Sequence, residues 1–311
     1  MPTDSYLVQL TTRLTEGLSR LPDEFRNRHA SFLISRQNPD GGFSGREGGS
    51  DLYYTGFGLR GLAVLGALTP EICSRAAGFL GPSLTRQASV VDFFSLLYSC
   101  ALVQLGGGPD VLAASPQDWP ERVAAVLETF RTPDGGYGKA AGDRAGSTYH
   151  TFLVALSYQM LGRDVPAVDH LRAFIESRRR EDGGFVEIAP MKRSGTNPTA
   201  AAVGVLQILA DTPEQFLPSA QSVIPFLTSM ASPEGGLRAN ARAPLADLLS
   251  TFTGTWTLSQ LNVLNQTDTP ALKSYVQNLE LASGGFHGGL WDDRTDVEYT
   301  FYGLGVLALL N

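Results

Sequence analysis

Five Gly-Gly turns recur along this chain at nearly equal intervals, and their spacing constrains the fold more than any other feature. They lie at residues 39–43 (PDGGF), 133–137 (PDGGY), 181–185 (EDGGF), 233–237 (PEGGL) and 282–286 (ASGGF). The first glycines of the last four are at 135, 183, 235 and 284, which are 48, 52 and 49 residues apart. A period of about fifty residues indicates one supersecondary unit repeated in a stacked or closed array. The 94 residues between Gly41 and Gly135 span two periods, which predicts a sixth unit with Gly81-Pro82 as its divergent turn.

Two kinds of helix alternate between these turns. Segments that begin near Asp51, Asp92, Ser147, Asn197, Asp247 and Asp296 are apolar nearly all round, as expected of helices buried on every side. Residues 24–37, 70–80, 119–132, 165–179, 213–230 and 270–281 each carry a single apolar stripe, which is typical of surface helices. The pattern predicts an all-α fold, a single (α/α)6 toroid of six inner and six outer helices. This domain would span residues 1–311, with an additional N-terminal helix within 1–22.

Charge and hydropathy narrow the class of protein. The net charge is −7, so a nucleic-acid-binding role is not expected, because phosphate binding needs a basic surface. The chain has no apolar run of the ~18 residues needed to cross a bilayer, and its first residues lack the pattern of a signal peptide. These features predict a soluble, cytoplasmic protein that does not span a membrane.

The first turns of the inner helices carry the candidate site residues. In a toroid these turns meet at one mouth, where the carboxylates of Asp247, Asp296 and Glu298 are expected. The candidate substrate-binding residues around them are Tyr53, Tyr54, Phe93, Phe94, Tyr149 and His150, with Tyr299 beside the acids. An aromatic pocket with a few polar groups suits a long apolar ligand with a polar head. The alternative interpretation is that the aspartates cap helices and the aromatic rings fill the core.

The Gly-Gly-Phe turn followed by Asp-x-x-Tyr-Thr and an apolar helix resembles the repeat of prenyltransferase β-subunits and squalene cyclases. The resemblance covers roughly residues 25–311, and β-subunits of Rab-type protein geranylgeranyltransferases are the most similar in length and in number of units. It implies an isoprenoid diphosphate or polyprenyl lipid as ligand in a central aromatic cavity, prenyl transfer as the reaction, and a helical α-subunit as partner.

The family's zinc ligands are not matched in this sequence. The family uses Asp-x-Cys at the fifth inner helix and a histidine in the first turn of the sixth. Here Asp247 is retained, but Leu249 stands in place of the cysteine and Tyr299 in place of the histidine. Since one aspartate cannot hold zinc, prenyl transfer by the zinc-thiolate route is not expected. The resemblance also implies that Arg238 and Arg242, after the fifth turn, bind the diphosphate.

Two other carboxylate patterns lie near residue 296. Asp292, Asp293 and Asp296 form an aspartate-rich sequence that in some isoprenoid enzymes holds magnesium. Asp296, Glu298 and Thr300 resemble the acid motif of cationic terpene cyclases, which implies that Asp296 or Glu298 protonates an alkene. The sequence therefore predicts a protein that binds an isoprenoid diphosphate and transfers its prenyl group by a route other than zinc-thiolate chemistry. The alternatives are a terpene-cyclase-like enzyme that uses Asp296 or Glu298 as its acid, and a non-catalytic lipid-binding or scaffold barrel.

Overall fold

In a computed structural model of the chain, which describes residues 5–85, 89–210 and 212–311, the secondary structure is α-helical. These residues contain short 3-10 helices at Gly81–Thr85 and Leu264–Gln266 and isolated β-bridges, but no β-strand. The α-helices are α1 Tyr6–Ser19, α2 Asp23–Ser35, α3 Leu52–Val64, α4 Pro70–Leu80, α5 Val90–Leu105, α6 Trp119–Glu128, α7 Thr148–Met160, α8 Val168–Ser177, α9 Thr196–Ile208, α10 Pro213–Gln221, α11 Val223–Ser229, α12 Leu248–Gln260, α13 Thr269–Leu279 and α14 Val297–Leu309. The predicted all-α class is confirmed.

The two predicted kinds of helix differ in burial as expected. Eleven of the thirteen residues of α14 are buried, whereas Leu127 is the buried residue of the outer helix α6. The predicted outer helix at 213–230 is two helices, α10 and α11. They separate because Pro225 has no N–H to donate to the carbonyl of Gln221.

Two predicted helix starts are also corrected. Helix α5 begins three residues earlier than the sequence suggested, because Ser89 is its N-cap and accepts the backbone N–H of Asp92 at 3.2 Å. The Ser89 hydroxyl in turn donates to Asp92 Oδ2 at 2.7 Å, so the two side chains are linked at the start of the helix. Helix α9 begins after Gly195, which places Asn197 inside its first turn. Gly81-Pro82 starts a 3-10 helix and does not form a Gly-Gly type of turn.

The Gly-Gly turns are hydrogen-bonded to the inner helices that follow them. The first glycine has a positive φ, which is +91° at Gly41, where a Cβ would stand 1.9 Å from the carbonyl oxygen of Arg75. Only glycine fits such a position. Phe43, which follows the two glycines, donates its backbone N–H to Thr55 Oγ1 of α3 at 2.9 Å. The same bond recurs at Tyr137–Thr151, Phe185–Thr199 and Leu237–Thr251.

The described chain divides into two compact units. Unit 1 consists of the segment ending at Leu7 and Asp118–Tyr275, and in it α9 packs against α7 and α12. Unit 2 consists of Val8–Gln117 and Val276–Asn311, and in it α3 packs against α5 and α14. The single domain over 1–311 stays a prediction, and residues 1–4 of its N-terminal segment lie outside the described residues. No helix in the described part is both long and apolar enough to cross a bilayer.

Candidate active site

An arginine holds the loop that precedes α14 in unit 2. Arg46 donates from Nη1 to Asp292 Oδ1 at 2.9 Å and from Nε to Asp296 Oδ2 at 2.8 Å. Asp296 is buried and is the N-cap of α14, since its Oδ1 accepts the backbone N–H of Tyr299 at 2.8 Å. Burial alone would raise the pKa of Asp292, but the hydrogen bonds and charge of Arg46, together with the backbone N–H groups of Arg294 and Gly288, hold that pKa below its ordinary value. Arg46 therefore offsets two negative charges and fixes the first turn of α14.

The carboxylates of the predicted magnesium site, and the position where relatives would hold zinc, are occupied by other contacts. Asp292 and Asp296 are bound to Arg46, and Asp293 is exposed, so the magnesium site expected there is not confirmed. Asp247 caps α12, where its two carboxylate oxygens accept the backbone N–H and the hydroxyl of Ser250 at 2.7 and 2.8 Å. Leu249 offers no ligand atom, so the residues present do not fit zinc. In the described part of the chain, no three His, Cys, Asp or Glu side chains group as a metal site.

Glu298 lies in the first turn of α14, two residues after its N-cap. Its Oε1 accepts hydrogen bonds from the Tyr53 hydroxyl at 2.6 Å and from the Tyr302 hydroxyl at 3.0 Å. Burial raises the pKa of this carboxyl, and the nearby charge of Asp296 adds to the effect, although the Tyr53 hydrogen bond acts against it. Both hydroxyls occupy Oε1, so the proton of the neutral acid belongs on Oε2. The group is an acid that keeps its proton at higher pH than an exposed glutamate does.

Aromatic rings pack around the two tyrosines that bind this acid in unit 2. The ring of Phe57 is 4.9 Å from Tyr53, 5.7 Å from Phe301 and 5.3 Å from Tyr302, in edge-to-face pairs. We call Tyr53, Phe57, Phe301 and Tyr302 the aromatic wall. Aromatic faces attract positive charge, and the face of Phe57 is covered by the guanidinium of Arg60, 4.4 Å from the ring centroid.

The other predicted residues of unit 2 lie close to these groups. Tyr54 packs edge-to-face on Tyr53 with ring centroids 5.2 Å apart. Arg46 stacks over the ring of Tyr299 at 5.0 Å. Phe93 and Phe94 are buried in α5.

Arg60 is a charged residue on the otherwise uncharged helix α3. Its Cζ lies 4.4 Å from the ring centroid of Phe57, 5.4 Å from that of Phe94 and 5.1 Å from that of Tyr98. Its Nε is buried without a hydrogen-bond partner, and no ion pair to Arg60 forms among the described residues. The guanidinium is thus held by aromatic faces instead of by a carboxylate.

The predicted residues of unit 1 form no comparable cluster of hydrogen bonds. His150 is in the first turn of α7, where burial lowers the pKa of its imidazole, and its Nδ1 is buried with no partner in the described structure. Tyr149 is 37% exposed. Burial raises the pKa of Asp247, against the hydrogen bonds from Ser250. Their roles stay predictions.

The predicted diphosphate ligands are also in unit 1. Arg238 donates from Nη2 to the carbonyl of Ser229 at 3.0 Å and from Nε to that of Met230 at 3.4 Å. It therefore covers carbonyls at the end of α11. Arg242 is exposed. Diphosphate binding by these two arginines stays a prediction.

Sequence reasoning missed five residues of the site: Arg46, Phe57, Arg60, Phe301 and Tyr302. Tyr302 lies four residues after Glu298, a spacing that brings two side chains together on a helix. Arg60 was visible as a charge within an apolar helix. Arg46 carried no local signal, because its partners lie about 250 residues away, as the separation to Asp296 shows.

Solved structures with a similar fold share little sequence with this chain. Protein geranylgeranyltransferase-I of Candida albicans, complexed with GGPP, has a TM-score of 0.70 at 17% identity, covering 91% of this chain and 90% of that chain. The type II terpene cyclase MstE of Scytonema has a TM-score of 0.59 at 15% identity, covering 96% and 98%. An alpha-1,6-mannanase of Salegentibacter has a TM-score of 0.66 at 12% identity, covering 92% and 98%. At these identities the likeness concerns the fold alone.

The family comparison is more direct. No curated protein sequence matches this chain significantly. The family model of the prenyltransferase alpha-alpha toroid domain matches residues 21–76 and 83–311. This match confirms both the resemblance at superfamily level and the predicted toroid. The chain therefore belongs to the prenyltransferase alpha-alpha toroid domain family.

Proposed function

We propose that this protein binds a polyprenyl substrate against the aromatic wall and starts its cyclisation by protonating a carbon–carbon double bond with Glu298. The observation that carries the proposal is a carboxyl whose pKa is raised by burial and which lies among aromatic rings. A general acid must hold its proton at the working pH and reach a substrate in a site from which water is excluded. Glu298 meets the first condition through burial.

The proton on Glu298 Oε2 moves to one alkene carbon, and the π electrons form the new C–H bond. The adjacent carbon becomes a carbocation, which is attacked by the next double bond of the chain. Loss of a proton to water ends the sequence, and Glu298 regains its proton from solvent, so the overall reaction is an isomerisation.

Neighbouring residues stabilise the two charges that form in this step, the carboxylate of Glu298 and the carbocation. The carboxylate left after proton transfer accepts hydrogen bonds from Tyr53 and Tyr302, and bonds to a charged group are worth about 1.5–3 kcal/mol each. The rings of Tyr53, Phe301 and Tyr302 favour the carbocation, whereas the face of Phe57 is taken by Arg60. A structural neighbour of the same fold is a type II terpene cyclase, studied in complex with geranylgeranyl dihydroxybenzoate, which fits the same class of substrate.

Prenyl transfer from a diphosphate has less support in the described geometry. The zinc ligands are not matched, and Arg238 donates to backbone carbonyls. A helical α-subunit stays a prediction. Cyclisation requires a proton from Glu298, whereas prenyl transfer does not, so one experiment distinguishes the two reactions.

The test is turnover in D₂O. Purified protein is incubated with squalene, geranylgeraniol and GGPP, and products are examined by mass spectrometry. Cyclisation initiated by Glu298 incorporates one deuterium per product, and Glu298→Gln lowers the rate by at least about 100-fold. Glu71→Gln, an exposed glutamate of α4, serves as the matched control and retains full activity.

Two outcomes would refute the proposal. Release of diphosphate from GGPP without deuterium uptake, unaffected by Glu298→Gln, would favour prenyl transfer. Tight binding of a polyprene with no product from any of the three substrates would favour the non-catalytic lipid-binding barrel.

A further inference from the structure

We propose that an open pocket between α6 and the end of α7 binds an aliphatic amine in its ammonium form. We call it the α6–α7 pocket; its volume is about 490 Å³, which is in the usual range for small-molecule sites. Small residues form much of its walls, and its polar lining residues are Glu128, Tyr158, Arg163 and Asp164. All of them belong to unit 1, so the proposal does not depend on the acid Glu298 of unit 2.

Two tyrosines distinguish this repeat from the others. Tyr137 directly follows the Gly-Gly pair of its turn, and the residue there in the other four turns is buried and apolar: Phe43, Phe185, Leu237 and Phe286. Tyr158 is the eleventh residue of α7, and the eleventh residue of α3, α9, α12 and α14 is a buried leucine: Leu62, Leu206, Leu258 and Leu307. Since apolar side chains fill both positions elsewhere, packing of the repeat does not require a hydroxyl at either one.

Both hydroxyls bind one carboxylate. Tyr137 donates to Glu128 Oε1 at 2.6 Å and Tyr158 donates to the same oxygen at 2.8 Å, while Arg131 Nε donates to Oε2 at 2.7 Å. Burial alone would raise the pKa of Glu128, but the hydrogen bonds from Arg131, Tyr137 and Tyr158 hold it below its ordinary value. Glu128 is therefore an anion at neutral pH, fixed in position where it lines the pocket.

The polar groups at this end of the pocket are hydrogen-bond acceptors. Burial raises the pKa of the Tyr158 hydroxyl, and its hydrogen bond to Glu128 adds to the effect, so the phenol keeps its proton. That proton is donated to Glu128, which leaves the phenol oxygen able to accept. Helix α7 also ends here, with Gly162 lining the pocket and no basic residue in its last turn. The negative end of a helix dipole favours a cation.

The charges around the pocket sum to a negative value. Arg163 is paired with Glu121, and Glu128 with Arg131. Asp164 is exposed and forms no ion pair within the described part of the chain. An ammonium group supplies both the positive charge and the N–H donors that these acceptors lack, and the methylene groups of an aliphatic amine suit the small apolar walls.

The test compares probes that differ in charge. Binding to the full chain at pH 7 is measured by ligand-detected NMR for n-butylamine and for Nα-acetyl-lysine methylamide, with n-butanol and butyrate as the neutral and anionic counterparts. We expect the amines to bind at least about 10-fold more tightly than either counterpart, the effect of one hydrogen bond to a charged group, and to bind more weakly as salt is added. Tighter binding of butylamine assigns the pocket to a free amine, and tighter binding of the lysine derivative assigns it to a side chain of a partner protein.

Substitutions then locate the site. Glu128→Gln should weaken amine binding about 10- to 100-fold. Glu176→Gln is the matched control, because Glu176 pairs with Arg179 in the same way at 2.8 Å in α8 but has no tyrosine beside it, and it should leave the affinity unchanged. Asp164→Asn changes an exposed residue that the fold does not need, and it should weaken binding about 2- to 5-fold, as expected for an exposed charge.

A double variant tests the two hydroxyls without disturbing the repeat. Tyr137→Phe with Tyr158→Leu introduces the residues that other repeats carry at these positions, so the protein should fold. Amine binding should weaken about 10-fold, because Glu128 is no longer fixed before the ligand arrives.

Four results would overturn the proposal. They are the absence of amine binding to the native protein, equal affinity for butylamine and butanol, an unchanged amine affinity in Glu128→Gln or in the double variant, and an equal loss in Glu176→Gln. None of them bears on the proposed acid Glu298, since every substituted residue belongs to unit 1.

Discussion

The hydrogen bonds to Glu298 make a prediction about its pKa that does not require the substrate to be known. Both tyrosine hydroxyls donate to Oε1 and favour the carboxylate, so each lowers a pKa that burial raises. Removing one donor by Tyr53→Phe or Tyr302→Phe should therefore raise the pKa of Glu298 further. Asp296→Asn should lower it, because the charge of Asp296 is one of the causes of the raised pKa.

The size of the shift follows from the strength of the bonds. A hydrogen bond to a charged group contributes about 1.5–3 kcal/mol, and one pKa unit corresponds to about 1.4 kcal/mol. Tyr53→Phe should raise the pKa by about 1–2 units, since its bond is short at 2.6 Å. Tyr302→Phe should have an effect near the lower end, because that bond is longer at 3.0 Å. Asp296→Asn should lower the pKa by an amount between the effects of the two tyrosine substitutions, because the charge of Asp296 acts less strongly than the Tyr53 hydrogen bond and more strongly than the Tyr302 hydrogen bond.

Infrared spectroscopy measures this pKa directly. The band of the protonated carboxyl is followed against pH and assigned to Glu298 by its loss in Glu298→Gln. If the proposed acid role holds, the rate of turnover falls as pH rises through the same pKa, and Tyr53→Phe moves that fall to higher pH while lowering the maximum rate. A pKa that stays constant or decreases in Tyr53→Phe would refute the assigned hydrogen bonding. An increase in Asp296→Asn would refute the assigned effect of that charge.

Two further predictions concern stability. Gly41→Ala should cost at least about 3 kcal/mol in free energy of unfolding, because a Cβ there meets the Arg75 carbonyl at 1.9 Å and φ is +91°. Gly48→Ala, at φ +86° with no atom within 4 Å of the Cβ, should cost only about 1 kcal/mol, and equal losses in denaturation would contradict this account. The pKa of Glu298 is raised in the folded state above its ordinary value of 4.5, so between these two values the folded state binds more protons than the unfolded state. The contribution of Glu298 to the free energy of unfolding therefore decreases as pH rises through that window. Glu298→Gln should therefore stabilise the protein more at pH 8 than at pH 5, and urea denaturation showing the reverse order would disprove it.

Much of the fold was predictable because the signals are local. The apolar pattern and the Gly-Gly turns predict where each inner helix lies. The predicted N-caps Asp247 and Asp296 are the residues directly before α12 and α14 in the structure. The start of α5 was misplaced, because Ser89 and Asp92 are both good capping residues, and only the hydrogen bond from the Asp92 backbone N–H to Ser89 Oγ decides between them.

The candidate site was only partly predictable. The acid motif singled out Glu298, but its protonation depends on burial and on Tyr53, which is 245 residues away in sequence. The aromatic surroundings of Arg60 depend on how α5 packs against α3. Such contacts follow from tertiary packing, which single-sequence patterns do not encode.

The pairing of Arg46 with Asp292 and Asp296 has a consequence for synthesis of the protein. Unit 2 takes residues from both ends of the chain, and Arg46 and Asp296 are 250 residues apart. At about 5–20 residues per second, a ribosome needs roughly 12–50 s to add the partner after Arg46. During that interval Tyr53 and Arg60 exist without α14. The hydrogen bonds from Tyr53 and Tyr302 to Glu298 therefore cannot form until α14 has been synthesised, long after α3.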